Sequence, residues 1–178
     1  KTICEKIQPY TVIMGSQGTT AAERFLFGGH AVKAMKDLMW PLITVPPGIK
    51  FSGVKKIGLA CDFEQVVETT PVDEIKTLVN DFHAELHIIN TGSQKKFDPD
   101  IVFESGLLQE MLGAIKPNYH FITAGNMDEG IIKFADEHHI DLLVVLPKRH
   151  SLIEKLIYKS NTRQLVLHSH VPVMALHQ

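Results

Sequence analysis

Sliding the chain against itself by 131 residues aligns its opening stretch with its end without a gap, a constraint that few folds satisfy. Val12, Ile13 and Met14 fall on Leu143, Val144 and Val145, Glu23 falls on Glu154 and Arg24 on Lys155. Phe25, Leu26 and Phe27 fall on Leu156, Ile157 and Tyr158, and Pro41 falls on Pro172. This is the pattern of a tandem duplication. The later copy begins near Val54, so the earlier one is expected to begin about 77 residues ahead of Lys1. Residues 1–50 then form the end of a first domain, cut by the start of the chain, and residues 51–178 a complete second domain. Pro46, Pro47 and Gly48 break regular structure between them.

Within each copy, short apolar runs alternate with stretches of helical spacing. Lys1 to Gln8 reads as the tail of a helix closed by Pro9, Tyr10 to Met14 as a strand, and Ala31, Ala34, Met35 and Leu38 as the inner face of a helix. Pro41 to Val45 is a second strand. After Gly53 the reading is strand Val54–Cys61, helix Pro71–Ala84 with Ile75, Leu78, Val79 and Phe82 inward, and strand Glu85–Asn90. Helix Asp100–Ile115, strand Tyr119–Thr123, helix Met127–His139, strand Asp141–Leu146, a helix reaching His170 and strand Val171–Leu176 complete it. Strands alternating with helices predict an α/β fold, with five parallel strands in the second domain covered by helices on both faces.

The two copies differ where chemistry is expected. In the first, strand Tyr10–Met14 runs into Gly15, a polar Ser/Thr-rich loop with Gly18, and then Gly28 and Gly29 before a helix. Glycines after a strand let backbone amides approach a ligand, and a helix starting at Gly29 or His30 would aim unpaired N–H groups and its positive dipole end at the same place. An anion such as a phosphate is the natural guest, although a glycine loop after a strand can also be a plain turn. The spacing matches neither the Walker pattern nor the dinucleotide fingerprint. In the second copy Gly15, Gly18, Gly28 and Gly29 fall on Leu146, Arg149, Lys159 and Ser160. Glycines needed only for folding should survive in both copies, so their restriction to one favours a ligand role there.

Composition excludes several classes. A hydrophobic fraction of 44%, a charged fraction of 21% and a net charge of −2 describe a globular protein without a nucleic-acid footprint, and no apolar run has the length of a membrane span. Cys4 and Cys61 stand alone in apolar surroundings, which fits buried thiols in a reducing, cytoplasmic setting. The ten histidines include His168, His170 and His177, but residues two apart on a helix diverge, so interface or surface roles are expected rather than a metal site. His138 and His139 suit a helix end, where a cation complements the dipole. Asp62 with Glu64 reads as an end-of-strand Asp that binds a ribose or caps the next segment, and Trp40 as a core or interface anchor. No spacing supports nucleophilic catalysis and no general base is evident, so no catalytic residue is expected.

The stretch VIMGSQGTTAAERFLFGGHA followed by PLITVP resembles the carboxyl-terminal motif of the universal stress protein family, whose G-x2-G-x9-G-[ST] loop binds ATP or a related adenine nucleotide. KKIGLACDF is similar to the family's first strand with its terminal Asp, and TAGNMDEGIIKFADEHHIDLLVV to its third strand, helix and fourth strand. The closing EKLIYKSNTRQLVLHSHVPVMALH resembles the glycine-free second half of tandem members. The resemblance implies an open five-stranded parallel sheet of the adenine-nucleotide hydrolase type, with partners associating through the last strand. It implies that Met14 and Gly15 line an adenine nucleotide, with or without Mg2+, that Gln17 and Gly18 hold the loop near the phosphates, and that Gly28, Gly29 and His30 close on them from the helix end. The family's Ser or Thr after the third glycine is Gly29 here. Asp62 matches the Asp that contacts the adenosine portion, within the copy that lacks the glycines. The resulting expectation is a stress-response, ATP-binding protein whose halves form an intrachain pseudo-dimer, with at most slow hydrolysis. A nucleotide-independent dimerising scaffold is the alternative, and exposed final strands admit a homodimer.

Overall fold

The computed structural model describes residues 2–16, 31, 33–35, 37–90, 99–122, 125–147, 165 and 168–177. Helix α1 (Thr2–Ile7) precedes strands β1 (Val12–Gly15) and β2 (Leu42–Val45). Then follow β3 (Lys56–Ala60), helices α2 (Val66–Thr69) and α3 (Val72–Phe82), β4 (Glu85–Asn90), α4 (Pro99–Leu112), β5 (Asn118–Phe121), α5 (Met127–Glu137), β6 (Leu142–Val145) and β7 (Val173–Ala175). Most expected elements are present, β4 with the expected bounds and the others with ends shifted by a few residues, while most of the helix expected to reach His170 lies outside the described residues. Phe82 is the exception to the inward reading of α3: as the helix's last residue it is partly exposed, while Ile75, Leu78 and Val79 are buried.

All seven strands form one sheet in the order β1-β2-β7-β6-β3-β4-β5. The five strands from β3 to β7 are mutually parallel, as expected for residues 51–178. β1 and β2 are also parallel, and they join the five through a single antiparallel pair, β2 with β7. The expectation of exposed final strands is therefore corrected. β2 and β7 each have neighbours on both sides, so neither offers a free edge.

The strand registers carry a numerical pattern. Val12↔Leu42, Ile13↔Ile43 and Met14↔Thr44 in the first pair correspond, 131 residues on, to Leu143↔Val173, Val144↔Met174 and Val145↔Ala175 in the other. Across the antiparallel seam Leu42 pairs with Ala175, Ile43 with Met174 and Thr44 with Val173. With the same offset this is a self-complementary arrangement centred on Ile43 and Met174. The Thr44 hydroxyl donates to the Val173 carbonyl across it at 3.1 Å.

Two apolar layers cover the sheet. On one face Ile57, Leu59, Leu86, Ile88, Leu142 and Val144 pack under α3 and α4. On the other, Ile89, Leu143, Val173 and Ala175 meet Ile131, Phe134 and Ala135 of α5, and also the helical Ala31 and Met35 and, just after them, Leu38. Burial from both sides is why β6 is four apolar residues without alternation. Gly58 in β3 lets the layers close, since a Cβ there would lie 3.1–3.3 Å from Ile89, Ile140 and Leu143. Helix α5 starts where the Asn126 side chain accepts from the Asp128 amide and donates to Glu129. It ends at His138, with His139 left-handed and Ile140 N–H bonded to Ala135 O.

Candidate functional site

In an open α/β sheet, ligands bind beyond the carboxyl ends of the strands where the strand order reverses. The described strands end in two crests, of which that of β3 to β7 contains such a reversal, between β6 and β3. Because β2 and β7 are antiparallel, the carboxyl ends of β1 and β2 point opposite to those of β3 to β7. The crests thus lie at opposite ends of the sheet, and the structure does not bring Asp62 together with Met14 and Gly15.

At the first crest, Gly15 stands opposite Val45, and the ladder continues for one more residue through Ser16 N–H to Val45 O at 2.9 Å. Ser16 is buried and Gly15 exposed, so the chain leaves the strand from an anchored position with open backbone. Met14 packs partly against the core shared with Ala31 and Met35. Gln17, Gly18, Gly28, Gly29 and His30 lie outside the described residues. β1 is an edge strand whose outer side has no described partner, and Ile13 on it is 64% exposed, as are Tyr10, Ile3 and Ile7 to a similar degree.

The second crest is bound up with itself. The Asp62 carboxylate accepts from the Glu64 amide at 3.2 Å, an Asx turn ahead of α2, whose N-cap residue Gln65 makes no side-chain cap bond. Asn90, buried at the end of β4, donates to the Cys61 carbonyl at 3.0 Å. Phe63 and Gln65 are left-handed, which turns the chain sharply into α2, and the Glu104 carboxylate accepts from the first amide of α2, Val66, at 2.8 Å. Phe63 is buried and meets Phe121 edge-on at 5.7 Å and Tyr119 at 6.4 Å. Burial, with Cys61 adding, pushes the Tyr119 phenol up to about 12. The loop after β6 that would complete this crest lies outside the described residues.

Other singled-out residues fall elsewhere. The His170 ring pairs with Asp136 at 3.1 Å, and Trp40 packs partly against the core. Neither cysteine forms a disulfide with a described residue; Cys61 is buried and Cys4 partly so. No described helix is long and apolar enough to cross a membrane, and no three described His, Cys, Asp or Glu residues are grouped to hold a metal. Glu104 and Asn90 were not singled out in the sequence. Their partners lie 38 and 29 residues away, and only the assembled sheet reveals them.

Residues 54–177 match the model of the universal stress protein family. The chain belongs to this family. It is 24% identical over 171 residues to Universal stress protein Slr1230 of Synechocystis sp., a match that covers 92% of this chain and 56% of that protein. Among solved structures, a universal stress protein from Archaeoglobus fulgidus superimposes with a TM-score of 0.69 at 20% identity, over 99% of this chain and 64% of that one. A universal stress protein in complex with cAMP superimposes with a TM-score of 0.55 at 19% identity, over 71% of this chain and 98% of that one. The chain therefore spans less than two thirds of the longer relatives. The α/β fold, with its mostly parallel sheet, is that of these neighbours.

Proposed function

We propose that these 178 residues belong to a tandem universal stress protein that binds ATP or another adenine nucleotide at the first crest. Met14 and Gly15 would offer backbone to the nucleotide. Gln17 and Gly18 would hold the loop near the phosphates, and Gly28, Gly29 and His30 would meet them at a helix start. Residues 51–178 form the second domain, a glycine-free partner packed against the end of the first, residues 1–50, as an intrachain pseudo-dimer. The nucleotide acts as a signal or structural ligand, with at most slow hydrolysis.

The observation that carries this reading is the register at the seam. Strand pairs related by the 131-residue offset meet self-complementarily at Ile43 and Met174, as two copies of one unit meet about a two-fold axis. Further observations support it. One complete relative is covered by 71% of this chain, and a longer one is covered only to 64% by nearly all of it. The outer edge of β1 has no neighbour among the described residues and is flanked by exposed Ile13, Tyr10 and Ile7, as suits a strand awaiting its neighbour. β6 pairs with β3 through Leu142 to Val145. By the same offset β1 receives an upstream strand opposite Thr11 to Met14. A family member in complex with cAMP supports the adenine class of ligand.

Gly18→Val in the full-length protein is the direct test, since a side chain there obstructs close backbone approach. Lost ATP affinity in a variant that folds as the parent does is the expected result. Unchanged affinity would leave the dimerising scaffold as the better reading.

A further inference from the structure

Three imidazoles gather on the sheet face beneath α5. In the parallel register His87 of β4 stands opposite Asn118, and Ile89 opposite His120 of β5, so both histidines share the face that α5 covers. Their rings stack at 5.2 Å, with His87 Nδ1 and His120 Nε2 3.0 Å apart. His138, at the end of α5, lies 5.3 Å from the His120 ring, and Phe134 packs against both, at 4.7 Å from His120 and 4.0 Å from His138. His87 is 7% exposed. The charged groups facing the cluster are Glu85 of β4, whose carboxylate is 3.5 Å from His87 Nε2, and Lys56 of β3, which donates to the His138 carbonyl at 3.2 Å. Lys133 and Glu137 of α5 pair with each other at 3.7 Å on its exposed side.

Counting protons shows what this arrangement tolerates. A bond between two ring nitrogens needs one hydrogen between them. With both rings neutral, His120 donates from Nε2 to the lone pair on His87 Nδ1, and the His87 Nε2–H then faces the Glu85 carboxylate. One added proton goes to His120 Nδ1 and leaves the bond intact. A second puts N–H against N–H at 3.0 Å and two cations in one stack beside His138 and Lys56. Among the described residues edge strand β5 is held only by β4, with no second described ladder to retain it.

We propose that the His87–His120 bond is an acid latch, which opens when both rings are protonated and frees β5 and the end of α5 from the sheet. Burial holds both rings below the ordinary histidine value of 6.5, helped at His87 by Lys56 and His138 against Glu85, and at His120 by His87 and His138. Folded-state values below the unfolded one mean stability that is present above 6.5 and lost as pH falls through the folded values.

Amide exchange in the full-length protein at neutral and mildly acidic pH, corrected for intrinsic rates, tests the latch. The expected result is that protection of β5 falls at least about ten-fold more than that of β3 on acidification. In His120→Gln, which keeps a donor at the same place and cannot take up a proton, the excess loss disappears. Equal pH dependence in parent and variant, or β5 tracking β3 in the parent, would overturn the proposal. Should the variant not fold, titration of the parent's imidazoles by NMR decides. One ring of the pair taking its proton well before the other supports the latch, and two independent titrations near the ordinary value refute it.

Discussion

Truncating Leu42 probes whether the seam between β2 and β7 joins the two halves into one folding unit. Leu42 is 0% exposed, pairs with Ala175 across the seam, and belongs to a core that includes Met35 and Leu38 on one side and Phe134, Leu143 and Val173 on the other. Leu42→Ala deletes three buried carbons and leaves a cavity whose walls come from both halves, so it should cost about 2–5 kcal/mol. At about 2–4 °C per kcal/mol for a chain of this size, Tm falls by about 4–20 °C. The single tryptophan, Trp40, lies just before β2 and reports on the first half, while far-UV circular dichroism reports on all helices. Denaturant unfolding followed by both signals should shift to a lower midpoint with the two curves still superimposed. Fluorescence shifting while most of the ellipticity keeps its original midpoint would refute the shared core, because the second half would then be stable without the first.

Two further substitutions test individual contacts. Glu104→Ala leaves the buried Val66 amide without its acceptor and should lower stability by about 1–3 kcal/mol, whereas Glu104→Gln keeps an acceptor oxygen and should recover most of that; equal midpoints for parent and Glu104→Ala would dismiss the contact. The buried Tyr119 hydroxyl has no hydrogen-bond partner among the described residues, so Tyr119→Phe should be neutral or stabilising by about 1 kcal/mol. The phenol's folded value of about 12 against 10.0 unfolded means that the parent loses stability as pH rises between them, a loss the variant should lack. Identical alkaline unfolding of parent and Tyr119→Phe would contradict this.

Features written in local periodicity were legible in the sequence. The run Leu142–Val145 reads as a strand buried on both faces, and Ile75, Leu78 and Val79 read as the inner side of a helix, because spacing alone fixes which side faces the core. Gly15, Gly18, Gly28 and Gly29 are marked in the sequence because their repeat partners Leu146, Arg149, Lys159 and Ser160 are not glycines. Helix α2 escaped notice, since four residues entered from a left-handed Gln65 are too few to show a period. The histidine pair escaped for another reason. His87 and His120 stand 33 residues apart on neighbouring strands, and their shared face is fixed by a register that pattern does not encode. The antiparallel joining of β2 to β7 is likewise set by tertiary assembly, which puts Asp62 at the end of the sheet away from Gly15.

Calorimetric titration of ATP into the full-length protein bears most directly on nucleotide binding by the first copy. One site per chain with micromolar affinity, abolished by Gly18→Val in a folded variant, is the result expected of a glycine crest that binds and a second copy that does not. Two equivalent sites, or no heat of binding at millimolar ATP, would contradict it.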